Sequence, residues 1–298
     1  WTSSSPRVTA DRSIYDLASL SKVVGTTTAA MLLYDSGRLD LEAPVSTYLP
    51  AFSGGWKDSV TVRQLLTHRS GLPAGRDLWR IARTPDEARA AVLATNLECR
   101  PGQCYIYSDL GADMLAFVAE AAGGERIDKF LDENVFKPLG MSTARVINEA
   151  DIVPNRAAGY RLVNGELKNQ NWVSPTLNTT ADGALYLTVY DMAKWDAALY
   201  TDKLLKRSSL EQMWTPVKLN DGKTFPYGFG WALGNVHGHR LIEHGGSWQG
   251  FKSQISRYVD DKLTVVVFAN QARANPAKLA HGVAAIYNPE LTTTAGTQ

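Results

Sequence analysis

The chain has 298 residues, with 31 Lys and Arg against 30 Asp and Glu and a formal net charge of +1. That balance removes the electrostatic drive for binding nucleic acid or an anionic membrane surface, so a small molecule or peptide is the expected partner. Apolar residues at 44% and charged residues at 20% are globular values, and the length allows one large domain or two lobes sharing a core. The longest apolar runs, such as Leu263 to Ala269, fall far short of the roughly 18 residues of a membrane span, and no secretory leader is visible.

In chain order, small and apolar residues dominate on all sides from residue 22 to 34, which predicts a helix buried on most faces and closed at Gly37. Ser19 falls near its first turn, with Lys22 one turn further on. Residues 42–50 read as a loop. "TVRQLLTH" predicts a short helix capped by Thr61 and stopped by "RSGLP". Cys99 and Cys104 flank a Pro101-Gly102 turn that can bring their side chains together, so a disulfide and a reduced pair are both open. With no further Cys, the C-x4-C spacing is a poor zinc signal. Residues 85–95 predict a helix opened by Pro85 and acids, and residues 109–124 one capped by Asp109 and stopped by Gly123-Gly124. Further helices are expected over 126–134 and 189–200. From residue 225 the texture becomes β-rich, in short runs broken by "HG", "GSWQG" and "DD", the pattern of an antiparallel meander. A last helix over about 276–287 is expected to pack on that sheet, and the tail 292–298 reads as disordered. The expected class is α+β in a single domain, 1–298: an antiparallel sheet at 225–270 flanked by helices, with an all-helical lobe at about 40–187.

Three stretches carry chemistry. Ser19-x-x-Lys22 is the only S-x-x-K in the chain. A serine at a buried helix N-terminus has backbone N–H groups to stabilise an oxyanion, and a lysine three residues on shares its face and can activate its hydroxyl. By itself the motif is weak, as such spacings arise by chance. Tyr107-Ser108-Asp109 precedes a helix; alone it reads as a core tyrosine and an Asp cap. His244-Gly245-Gly246-Ser247 ends a strand, where glycines mark close approach of another backbone, such as a substrate, or simply a loop.

Together, in this order and spacing, the three resemble the penicillin-recognising serine hydrolases: class C β-lactamases, D-alanyl-D-alanine carboxypeptidases and related esterases. That family's pattern is S-x-x-K, then Y-x-N, then a K/H-x-G triplet on a strand. "LASLSKV", "GRLDLEAPVSTYLP", "VTVRQLLTHRSGLP", "PLGMS", "DMAKWDAAL" and "YGFGW" are similar to family segments as well. The resemblance implies a sheet packed with helices beside a helical lobe, the site between them, and no cofactor or metal. It implies Ser19 as the acylated nucleophile, Lys22 as its activating partner and Tyr107 as general acid and base. His244 would head the strand triplet, with Asp109, Gly245, Gly246, Ser247 and Trp248 against the substrate and the N–H groups of Ser19 and Ser247 as oxyanion hole. The implied activity is acyl-enzyme hydrolysis of an amide or ester, whether a D-amino-acid peptide, a β-lactam or a small ester, in a periplasmic or secreted setting.

Two departures from the family pattern matter. Asp109 stands where the family has Asn, and a carboxylate beside Lys22 favours its ammonium form, leaving Tyr107 as the working base. Only 18 residues precede Ser19, too few for the helix and two strands that family members carry there. A trimmed chain, or a separate segment or partner chain completing the sheet, is the expectation; otherwise an edge is exposed. Rival readings are weaker. No G-x-S-x-G supports an α/β-hydrolase and no E-x-x-L-N a class A loop; His237-Gly238-His239 reads as a hairpin turn rather than a metal pair, and Trp172, Trp231 and Trp248 as core or cleft wall. A catalytically inactive peptidoglycan-binding or scaffold module is the alternative outside the enzymes, and a kept nucleophile argues against it.

Overall fold

Turn chemistry sets the register of the large sheet. Its strands are β8 (Ala232–Val236), β9 (His239–Trp248), β10 (Phe251–Tyr258) and β11 (Leu263–Ala269), antiparallel in the order β11-β10-β9-β8. His237-Gly238 and Gln249-Gly250 have positive φ at both positions (50° and 99°, 46° and 82°), as a two-residue type I′ hairpin requires. The second turn is therefore only Gln249-Gly250: Trp248 pairs with Phe251, and β9 runs on through the "GSW" expected to break it. In this computed structural model residues 7–76, 78, 82, 84–147, 151–170 and 185–292 are described. Trp172 and the tail from 293 lie outside them.

Side-chain alternation gives the sheet two faces. On one, Ile242 and Ile255 join the main core, which also holds Leu17, Leu20, Val23 and Trp231. On the other, Leu241, Tyr258 and Val265 pack on Ala280 and Ala284 of helix Pro276–Tyr287, which forms where expected, with Asn275 accepting the Lys278 N–H as its cap. The outer side of that helix exposes Leu279, Val283, Ile286 and Tyr287, and β11 pairs with β10 alone among the described strands.

A second, small sheet in the order β1-β5-β2 joins β1 (Tyr15–Asp16), β2 (Arg145–Val146) and β5 (Leu185–Leu187). It anchors the segment entering the first helix, where Leu17 N–H donates to the Leu185 carbonyl at 2.9 Å. That helix opens as a π-helix, Lys22–Thr27, continues as an α-helix, Thr28–Asp35, and closes at Gly37 with φ 73°. Thr61 caps helix Val62–Leu66 in a capping box with Gln64, as the sequence predicts. Helix Asp109–Gly123 ends at left-handed Gly124, but its cap is Ser108, whose hydroxyl accepts the Gly111 N–H at 2.9 Å, not Asp109. The carboxylate of Asp109 is thereby released for another role.

Span 40–187 is not all helical. Strands β3 (Tyr160–Val163) and β4 (Glu166–Asn169) form a hairpin across Asn164-Gly165, both at positive φ, a strong hairpin signal that the helical reading of the middle passed over. Residues 42–50 hold a helical turn, Val45–Tyr48, and a helix the sequence did not suggest covers Arg207–Met213, just before a two-strand ribbon of β6 (Val217–Lys218) and β7 (Thr224–Phe225). Cys99 and Cys104 form a disulfide. Trp231 is buried and stacks on Trp195 in the core, and His239 binds Asp261 at 2.8 Å beside the hairpin turn. No helix of the described residues is long and apolar enough to cross a membrane, and no group of three His, Cys, Asp or Glu among them can hold a metal ion.

Candidate active site

The corner that presents Ser19 is held from three sides. Asp16 Oδ1 accepts the Ala18 N–H at 2.7 Å, Ser253 Oγ donates to the Leu17 carbonyl at 2.7 Å, and β5 holds Leu17 N–H. Ala18, the residue before the serine, takes φ 50°, a costly left-handed conformation that surrounding structure must impose and that recurs at functional sites. Lys22 is 4% exposed. Its Nζ donates to Ser19 Oγ at 3.1 Å, lies 2.8 Å from Asp109 Oδ1 and stands 5.2 Å from the centre of the Tyr107 ring. The structure thus brings Ser19, Lys22, Tyr107 and Asp109 together. The Tyr107 hydroxyl is buried and has no hydrogen-bond partner among the described residues, so its hydrogen-bonding capacity is unspent.

His244 completes the cluster from β9, its ring centre 6.0 Å from that of Tyr107. Its Nδ1 lies 2.7 Å from the Gly245 carbonyl, which can only accept, so Nδ1 carries the proton and Nε2 accepts from the Tyr227 hydroxyl at 2.9 Å. Burial, and then the charge of Lys22, push His244 down to about 4, so it is neutral at neutral pH. Gly246 permits the strand to approach the nucleophile: a Cβ there would stand 2.3 Å from the Leu17 carbonyl oxygen and 3.1 Å from Ala18 Cβ. At Gly245 a Cβ would point to the opposite face, 3.0 Å from Gln254 Oε1. Strand β8 begins opposite Glu243, so among the described strands β9 pairs with β10 only from His244 to Trp248, and its other edge, along Gly245, Gly246, Ser247 and the exposed Trp248, has no strand partner among the described residues. Ser247 turns its hydroxyl away from the nucleophile, to the Lys252 ammonium at 2.7 Å.

Sequence reading missed two members of the cluster. Tyr227, from "YGFGW", is buried against His244, and burial raises it well above an ordinary tyrosine. His68, from "THRSG", is 5% exposed and lies 4.5 Å from the Tyr107 ring centre. Burial, and then the charge of Lys22, push it to about 3. In the sequence Tyr227 falls in a β-rich run and His68 at the end of the helix predicted over "TVRQLLTH", and neither place carries a chemical signal. The position of His68 at φ 53° could not be read from one sequence.

Fold, motif order and site agree with one protein class, and comparison with known proteins makes the assignment. The Beta-lactamase family model matches residues 3–287; the chain belongs to the β-lactamase family. It is 32% identical over 281 residues to Penicillin-binding protein 4* of Bacillus subtilis (strain 168), a match covering 87% of this chain and 61% of that protein. A D-aminopeptidase of Gluconobacter oxydans (strain 621H) is 27% identical over 279 residues, covering 88% of this chain and 51% of its own length. The chain thus spans about half to three-fifths of these curated relatives. Among solved structures, the octameric penicillin-binding protein homologue from Pyrococcus abyssi superposes with a TM-score of 0.80 at 26% identity, covering 93% of this chain and 66% of that one. The α+β expectation and the family resemblance are borne out.

Proposed function

We propose that the protein is a serine hydrolase that works through an acyl-enzyme on an amide or ester. The observation that carries this is the Lys22 ammonium held between Ser19 Oγ at 3.1 Å and Asp109 Oδ1 at 2.8 Å, beside the Tyr107 ring and an open strand edge. Ser19 Oγ attacks the substrate carbonyl while Tyr107 carries its proton to the departing amine or alcohol. Water then attacks the acyl-serine, giving one proton back to Ser19 through Tyr107 and leaving the acid. Lys22, paired with Asp109, orients Ser19 and offsets charge, and the N–H groups of Ser19 and Ser247 receive the oxyanion. Gly245, Gly246 and Trp248 flank the substrate along β9.

The favoured substrates are short acyl amides and esters of the D-aminoacyl type, in keeping with the D-aminopeptidases among the relatives. A neutral His244 with both ring nitrogens engaged offers no positive charge to a terminal carboxylate, which disfavours carboxypeptidase substrates. A periplasmic or extracellular setting suits the Cys99–Cys104 disulfide. The test is covalent: a fluorescent penicillin or fluorophosphonate should label Ser19 and leave Ser19→Ala unlabelled. kcat/KM should then rank D-alanine p-nitroanilide and p-nitrophenyl esters above a D-alanyl-D-alanine peptide. No label together with no turnover of any substrate would instead favour the binding-module reading.

A further inference from the structure

The geometry points to His68 as the positioning residue for Tyr107, a role that rests on the proton-carrying function proposed for that tyrosine. Two backbone hydrogen bonds from His68 straddle the tyrosine: its carbonyl accepts the Ile106 N–H at 2.9 Å, and its Nδ1 accepts the Ser108 N–H at 3.1 Å. The residues on either side of Tyr107 are thus tied to one side chain and its own backbone, while the His68 ring packs against the Tyr107 ring between them. The same loop continues the grip, since Ser108 Oγ donates to the Pro73 carbonyl at 2.5 Å and the Asp109 N–H to the Ala74 carbonyl at 2.7 Å.

The clamp dictates the state of the imidazole. A backbone N–H can only donate, so Nδ1 must keep its lone pair and the proton of the neutral ring sits on Nε2. Protonation of Nδ1 would turn the acceptor into a second donor and break the bond to Ser108. The buried, neutral condition of His68 is what the clamp needs. His244 lies across the Tyr107 ring in the opposite tautomer. The backbone carries a cost as well: φ 53° is a conformation in which histidine is uncommon but enriched over most side chains, and glycine would be free of strain. A strained, buried histidine that binds both neighbours of a reacting side chain fits a positioning role, and a displacement of about 1 Å at such a group can cost about 100-fold in rate.

The test is a double-mutant cycle in the full chain, with kcat on a p-nitrophenyl ester normalised to titrated active sites. His68→Gly relieves the backbone and keeps the carbonyl bond but deletes the Nδ1 acceptor; His68→Asn tolerates the conformation and returns an acceptor close to the Nδ1 position. His68→Gly should lower kcat by about 10- to 100-fold with KM moved less than about 3-fold, His68→Asn should stay within about 3-fold of wild type, and His68→Gly should cost nothing further in a Tyr107→Phe background. If His68→Gly does not fold, His68→Gln, which fills the space but carries its acceptor one bond further out, replaces it in the same cycle. Wild-type kcat in His68→Gly, an equal loss in His68→Asn, or losses that multiply in the double variant would overturn the inference. Full turnover by Tyr107→Phe would remove the role proposed for Tyr107 and this one with it. An impaired Tyr107→Phe beside an unimpaired His68→Gly would remove the positioning role alone.

Discussion

Glu243 and His244 are neighbours on β9, yet they serve opposite faces of the sheet and opposite electrostatic regimes. On the back, Glu243 Oε2 gathers Gln254 Nε2 at 2.8 Å, Ser256 Oγ at 2.7 Å and His281 Nε2 at 2.7 Å, and its hydrogen bond raises His281 towards the charged form. On the front, His244 and His68 are more deeply buried beside a lysine, and both are held neutral at neutral pH. One residue type is therefore pushed in two directions by surroundings a single strand apart: a carboxylate partner favours the imidazolium, whereas desolvation and a nearby ammonium suppress it. The front face is arranged for chemistry around the Lys22–Asp109 charge pair. The back face is arranged to hold a helix on the sheet.

The sharpest way to break this contrast uses the adjacent glycines. Gly246→Ala places a methyl group against the Leu17 carbonyl and Ala18, backbone that supports Ser19, and should lower kcat about 100-fold. Gly245→Ala meets the end of the Gln254 side chain on the other face, and its loss should be about 10-fold smaller. Equal losses measured by steady-state kinetics would mean that the two faces are not mechanically distinct.

A smaller effect is expected from the charge pair. Asp109→Asn keeps the shape and removes the carboxylate beside Lys22, so acylation should slow by about 10-fold. The alkaline limb of its pH profile should move to lower pH, because an ammonium without its counter-charge deprotonates more readily. Rapid-mixing acylation rates from pH 5 to 10 would show this, and an unchanged profile would take Asp109 out of the mechanism.

The smallest effects are on stability, and the faces should differ in sign. The front histidines drop from an ordinary 6.5 to about 4 and about 3, so below pH 6.5 the unfolded chain binds more protons. Their contribution is complete above that pH and is lost progressively as pH falls towards 4. His281 is raised, so its contribution is complete below pH 6.5 and is lost as pH rises through its folded value. Because that pair is partly exposed and screened, His281→Gln should lower Tm by about 2 °C or less, more at pH 6 than at pH 9, with kcat unchanged. Thermal melts across pH would read both, and a His281→Gln variant that loses activity would join the back face to the site.

What sequence alone determined is local or carried by motif order. The turn at His237-Gly238, the caps at Thr61 and Gly37 and the helix opened by Pro276 follow from backbone preferences of single residues, which act within a few positions. Ser19, Lys22, Tyr107, Asp109 and His244 were legible because their order matches a family, and the structure brings them together. The same local logic was misapplied at Asn164-Gly165, where a helical expectation hid a hairpin, and at Ser108, which took the cap assigned to Asp109. Only tertiary structure decided which of several capping residues won, where the β8–β9 pairing stops at Glu243, and that His68 reaches across 40 residues to grip Ser108. It also decided which way each of these histidines is pushed, since desolvation and the distance to Lys22 or Glu243 depend on segments far apart in the chain that no local pattern encodes.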